Sequence, residues 1–269
     1  MYYSNLSLII ASCQSYSDLW SNNLLLLDKN WPNHPQTFLI SDGRGLYDLV
    51  APKQLLIING NMTNRIIESL KMIQTEYIVF SLDDYFITKK VNVGKIDFIL
   101  NYMMENGIDY CGFSRNKHGR IDKIKNTQLS KLRLEHTYDV NLYLSIWKKD
   151  SLIKCLKADE DIWKAEVLLT KRFKKNNFKA CCVLRNNIIP FIDIIRKGKY
   201  IRYNYHFLKK NKLFISNRKI QTVGDVLKLQ IKTFLSKCVP NFIKKRLKKV
   251  YRKNGGIIYS DYANDEENK

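Results

Sequence analysis

The chain has 269 residues, 45% of them hydrophobic, and a formal charge of +21. That length allows one large α/β domain with an appendage, and the ordinary apolar share excludes a wholly disordered chain. The charge is uneven: between Arg196 and Lys253 stand 19 Lys and Arg against one acid, Asp225, a local balance of +18 that points to an anionic partner.

In chain order, Leu6 to Ala11 reads as a first strand, and Ser12 to Asp18 as a polar turn. Leu19 to Leu27 follows as a helix with Asp18 as its N-cap, stopped by Pro32 and Pro35. Thr37 to Ser41 is a second strand ending at Asp42-Gly43, and Gln54 to Ile58 a third, closed by Asn59-Gly60-Asn61. A helix from Thr63 to Gln74 places Ile66, Ile67, Leu70 and Ile73 on one face. It leads into Tyr77 to Leu82, a continuous apolar run of the kind buried on both faces of a parallel sheet. Asp83 and Asp84 stand together at its end.

After Phe86 the pattern predicts a helix from Val93 to Glu105 and a strand from Ile108 to Phe113. Ser114 to His136 reads as a loop or short strands, Val140 to Trp147 as a strand, and Asp150 to Leu156 as a short helix. Ala158 to Glu166 opens a helix to Lys175, its acids crowding the first turn, where the helix dipole favours them. Phe178 to Leu184 and Ile188 to Ile194 read as further strands. Strands alternating with helices predict an α/β fold with a mainly parallel sheet. In such sheets ligands bind at the carboxyl ends of strands. Ser12, Asp42, Asn59 and Asp83 should therefore share one cleft. Adjacent carboxylates repel unless a cation or donors compensate, so Asp83 and Asp84 are either a site for a divalent cation with a phosphorylated ligand or a polar turn.

Beyond Arg196 the chain predicts a basic helical extension over 196–256 attached to an α/β domain over 1–195. Val223 to Ser236 carries an apolar stripe of Val223, Val226, Leu227, Ile231, Phe234 and Leu235. Asn241 to Lys253 repeats the design with Lys244, Lys245, Lys248 and Lys249 opposite Ile243, Leu247, Val250 and Tyr251. Residues 257–269 read as an acidic, disordered tail. The extension suits an anionic membrane surface; nucleic acid is the less favoured partner, because no nucleic-acid motif accompanies the charge, and a third reading packs these helices on the first domain or on another copy. Cys13, Cys111, Cys155, Cys181, Cys182 and Cys238 show no zinc spacing, which fits reduced thiols inside a cell. The start lacks the marks of a signal peptide, and no uncharged run reaches the roughly 18 residues of a membrane span. The expectation is a cytoplasmic protein at the inner face of a membrane.

The run from Asn59 to Asp84, with its polar turn, its helix carrying Asn64 and Arg65, and its strand ending in acids, resembles the donor half of GT-A glycosyltransferases. It particularly resembles the family 2-like enzymes of bacterial surface-polysaccharide (capsule or lipopolysaccharide) assembly, and the likeness covers Leu6 to Lys175. The resemblance implies a GT-A-like, Rossmann-related sheet and transfer of a sugar from a nucleotide-sugar donor to a glycan or lipid-linked acceptor, by an inverting route. It implies donor contacts from Ser12, Asp42, Asn64, Arg65, Asp83 and Asp84, with Asp83 and Asp84 holding Mn2+ or Mg2+. Asp161, with Glu160 beside it, would supply the catalytic base, and Glu166 competes for that role. Tyr85 stands where the family's second acid would be. Trp163 is a sugar platform or a buried aromatic, and Lys171 and Arg172 meet the diphosphate or face solvent. The alternative is a basic nucleic-acid- or lipid-binding protein whose α/β domain is not catalytic.

Overall fold

The computed structural model describes residues 3–45, 53–113, 121–184, 188–239 and 246. The chain divides into two compact units, residues 1–192 and 193–269.

The first unit is built on a mixed sheet. Its parallel half consists of β1 (Leu6–Ala11), β2 (Gln36–Ser41), β3 (Lys53–Ile57) and β4 (Tyr77–Leu82). Lateral order in this half is β3-β2-β1-β4, with β1 at the centre. The sheet continues through β9 (Ser145–Lys148), antiparallel to β4, then β6 (Tyr110–Gly112) and β10 (Ala180–Val183). It ends in the hairpin of β8 (Leu129–Leu132) and β7 (Ile121–Lys123). Because β6 is antiparallel to β9 and parallel to β10, both β6 and β10 run with β1. This is the expected α/β class, with its unbroken parallel run confined to the first half. A short β5 (Tyr85–Ile87) leaves the sheet after β4 and pairs instead with β11 (Phe191–Asp193).

Period-2 alternation in β4 explains the two cores. Tyr77 and Val79 enter one cluster, with α1 (Trp20–Asn30) and α3 (Val93–Asn106). Ile78 and Phe80 enter the other, with α2 (Met62–Met72), α4 (Lys149–Cys155) and α5 (Ile162–Lys175). Burial on both faces explains why β4 carries no polar residue before Ser81 other than the phenol of Tyr77.

Several boundaries differ from expectation. Gln14–Leu19 forms a 3-10 turn, so Asp18 lies inside that turn and the cap of α1 is Leu19. Residues 140–144 are apolar but not a strand. There Asn141 Oδ1 accepts from Tyr143 N at 3.0 Å, and Ser145 Oγ donates to Tyr143 O at 2.6 Å. Short polar side chains thus take the backbone groups a strand would need. The acids expected in the first turn of α5 precede it: Asp159 adopts a left-handed φ of 57° and Asp161 is the N-cap.

The second unit contains β12 (Ile195–Arg196), β13 (Lys199–Tyr200), α6 (Arg202–Lys210) and α7 (Val223–Cys238). The helix α6 was not expected. Apart from Arg246, the helix expected at 241–253 lies outside the described residues, as does the acidic tail.

Candidate active site

Pairing register brings the ends of β1, β2 and β4 to one edge, where the expected donor residues interlock. Ser12 sits one residue past β1, its backbone N–H donating to Ile40 O of β2 at 2.9 Å. Its hydroxyl donates to Asp83 Oδ2 and accepts from the Trp20 indole Nε1 at 2.7 Å. All three residues are buried. Asp83 and Asp84 form the two-residue turn between β4 and β5. That turn is fastened by Asn23 of α1, whose Nδ2 donates to Asp83 O at 2.9 Å and Tyr85 O at 3.1 Å. Tyr85 points away into the core against Phe191 and Tyr143, with ring centroids 4.8 and 5.5 Å away. Tyr85 opens the short strand β5 and is buried.

Along the same edge, Asp42 follows β2. Its Oδ1 accepts from Gln14 N at 2.7 Å, and its Oδ2 accepts from Arg65 Nη1 at 3.1 Å. Arg65 also donates to Gly60 O at 2.7 Å. Gly60 has a φ of +107°, which a side chain would strain, so the turn that presents this carbonyl requires glycine. Arg65 is buried, and its Nε has no acceptor among the described residues. A guanidinium with spare donor capacity beside a half-exposed carboxylate suits recognition of an oxygen-rich anionic ligand.

Asn64 is not directed to this edge as a free side chain. Its Nδ2 donates to Asp159 Oδ1 and its Oδ1 accepts from Asp159 N, both at 2.6 Å. Thr63 Oγ1 and Asn61 Nδ2 donate to Glu160 O at 2.6 and 3.2 Å, while Asn61 caps α2 by accepting from Asn64 N at 2.9 Å. The start of α2 and the segment before α5 are thereby one unit.

The expected base positions separate. Glu160 is buried and receives both Arg172 nitrogens, Nη1 to Oε2 at 2.6 Å and Nη2 to Oε1 at 2.8 Å. Its oxygens are committed to Arg172, so Glu160 is held as a structural partner, and Arg172 is buried rather than facing solvent. Asp161 is exposed and caps α5, its Oδ1 accepting from Trp163 N at 2.9 Å and Lys164 N at 3.2 Å. Trp163 is 60% exposed, contrary to a buried aromatic role. Glu166 has its carboxyl pushed above the ordinary 4.5 by burial, partly offset by a backbone hydrogen bond from Leu142. Its negative charge, after burial, also raises the phenol of Tyr138.

No group of three His, Cys, Asp or Glu that could hold a metal ion occurs among the described residues. With Asp83 engaged by Ser12, the donor set does not fit a protein-built cage for a resident divalent ion. A cation meeting Asp83 or Asp84 would take its other ligands from diphosphate and water.

A cavity of about 460 Å³ opens elsewhere, between the first turns of α3 and the β7–β8 hairpin. Lys95, Phe98, Lys123 and Gln128 line it, as does Val183 at the end of β10. Since β10 runs with β1, the cavity shares the sheet edge of Asp83, in the other half of the sheet.

No protein-family model matches the chain, and no curated protein matches it in sequence. Among solved structures, residues 1–349 of Staphylococcus aureus TarS in complex with UDP-GlcNAc are similar, with a TM-score of 0.49, 14% identity, and coverage of 73% of this chain and 60% of that one. A longer TarS structure gives a TM-score of 0.47 at 14% identity over 70% of this chain and 36% of its own length. The 2-C-methyl-D-erythritol 4-phosphate cytidylyltransferase of Thermus thermophilus gives 0.43 at 7% identity, covering 71% of this chain and 92% of that one. The chain therefore spans less than two thirds of the TarS structures it resembles.

Proposed function

We propose that the chain is a nucleotide-sugar-dependent glycosyltransferase of GT-A type, acting on a surface glycan or lipid-linked acceptor. The observation that supports this is the interlocked edge of β1, β2 and β4. Two carboxylates, Asp42 and Asp83, and one buried guanidinium, Arg65, are held there by backbone and side-chain bonds from three elements. Arg65 suits the nucleoside diphosphate, on which negative charge grows as the bond to the anomeric carbon breaks, while the carboxylates suit the donor's N–H and O–H groups or a cation bridging to the diphosphate. In the transfer, the acceptor oxygen bonds to the anomeric carbon while the bond from that carbon to the diphosphate oxygen breaks. The electron pair leaves on the diphosphate, and the acceptor's proton passes to a carboxylate. Asp161 is the base expected from the resemblance. Glu166 is a second candidate, since burial pushes its carboxyl above the ordinary range and so makes it a stronger proton acceptor when ionised. The cavity beside Phe98 gives the acceptor a place on the same edge.

Titration calorimetry with UDP-, GDP- and CMP-sugars, UDP-GlcNAc first, with and without Mn2+, tests the reading. Binding of at least one donor is expected, weakened tenfold or more by Asp42→Ala and by Asp83→Ala, an effect of about 1.4 kcal/mol. Silence toward every donor, with the wild-type and variant chains equally inert, returns the α/β unit to a non-catalytic binding role.

A further inference from the structure

The second unit presents an exposed apolar stripe among its described residues. Val223, Leu227 and Ile231 of α7 are 64%, 53% and 48% exposed. They recur every four residues and so lie along one helix face. A row of large aliphatic side chains facing water marks a surface awaiting a partner. The same segment selects the partner by charge, with its balance of +18 between Arg196 and Lys253.

Its one acid does not oppose an anion. Asp225 closes a reciprocal cap at the start of α7, accepting from Thr222 N at 2.9 Å while its own N–H donates to Thr222 Oγ1 at 3.1 Å. Lys199 Nζ donates to the same carboxylate at 2.9 Å. The hydrogen bond from Lys199, then that from the Thr222 backbone, hold its pKa down to about 2. The carboxylate is thus consumed inside the unit, which leaves the segment's excess of positive charge for an outside partner.

We propose that α7 is a monolayer-embedded anchor: the Val223–Leu227–Ile231 face enters the interface of an anionic lipid bilayer, to which the positive charge of the 196–253 segment draws it. An exposed apolar stripe within a strongly basic segment suits an interfacial helix. Nucleic acid would use the charge but leave the aliphatic face in water. A second copy would bring another +18 against the first. No described helix is long and apolar enough to cross a membrane. This inference is independent of the donor site.

The test is flotation of the full chain with phosphatidylcholine vesicles and with vesicles containing phosphatidylglycerol, at low and high salt. Recovery is expected with the anionic vesicles only, reduced by salt through the headgroup contribution. Leu227→Glu/Ile231→Glu is expected to lower lipid affinity by about tenfold or more, since each side chain leaves an apolar phase. Leu227→Trp covers the case in which the double variant misfolds: its added fluorescence should be quenched by bromine-labelled acyl chains. Failure of the wild type to float overturns the proposal. So does equal flotation of the double Glu variant with no quenching in the Leu227→Trp variant, or saturable DNA binding that the double Glu variant retains while vesicles are ignored.

Discussion

Glu160 is nearly out of reach of solvent, and both of its oxygens are taken by Arg172. Two ions brought out of water recover their desolvation only through such a paired geometry, so losing one partner is far worse than losing both. Either Glu160→Ala or Arg172→Ala should therefore lower unfolding stability by about 3–5 kcal/mol. The pair Glu160→Leu/Arg172→Met should recover most of that loss. Urea midpoints at unchanged slope would show it, and a double variant as unstable as either single one would contradict it. This pair also separates two neighbours that look alike in the sequence. Glu160 joins α5 to the segment before it, with its carbonyl bound by α2, while Asp161, one residue on, remains at the surface.

At the scale of elements, α5 offers a way to divide the structural from the chemical role of Asp161. Its carboxylate caps the helix, and Asn caps about as well as Asp, whereas Ala does not cap. Asp161→Ala is expected to cost about 1 kcal/mol and Asp161→Asn only a few tenths, as measured by thermal or urea unfolding. If Asp161 is the base, Asn at this position abolishes transfer without loss of stability. If activity survives Asp161→Asn and falls with Glu166→Gln, the base is Glu166. The elements differ in how plainly the sequence announces them. β4 is legible to the residue because burial on both faces leaves a run that is apolar from Ile78 to Phe80 and interrupted only by Ser81 before Leu82. Residues 140–144 were not, because Asn141 and Ser145 divert backbone groups that an apolar pattern assigns to a strand. Alignment of Ser12, Asp42 and Asp83 on one edge followed from strand direction alone. Their partners did not: Trp20 and Asn23, which fasten the Asp83 turn, read as ordinary residues of an amphipathic helix. Only the packing of α1 against that turn gives them a role.

Across the whole molecule, apolar burial and charge are segregated. Both hydrophobic clusters, one on each face of the large sheet, are made entirely from residues of the first unit. The excess cations lie in the second, where 196–253 carries +18 of the chain's +21. A core complete within one unit should fold without the other, since hydrophobic burial is the dominant favourable contribution to folding. A chain ending at Asp193, which keeps β11 as the partner of β5, is therefore expected to unfold cooperatively. It should also bind a nucleotide sugar within about twofold of the full chain, a change of roughly 0.4 kcal/mol. Its flotation with anionic vesicles should vanish. Calorimetry, near-ultraviolet dichroism and flotation on the same preparation measure the three properties together. Native dichroism with intact donor binding and lost flotation would place catalysis and membrane attachment in separate units. Lost tertiary dichroism with retained secondary structure would show that the first unit's core depends on residues beyond Asp193.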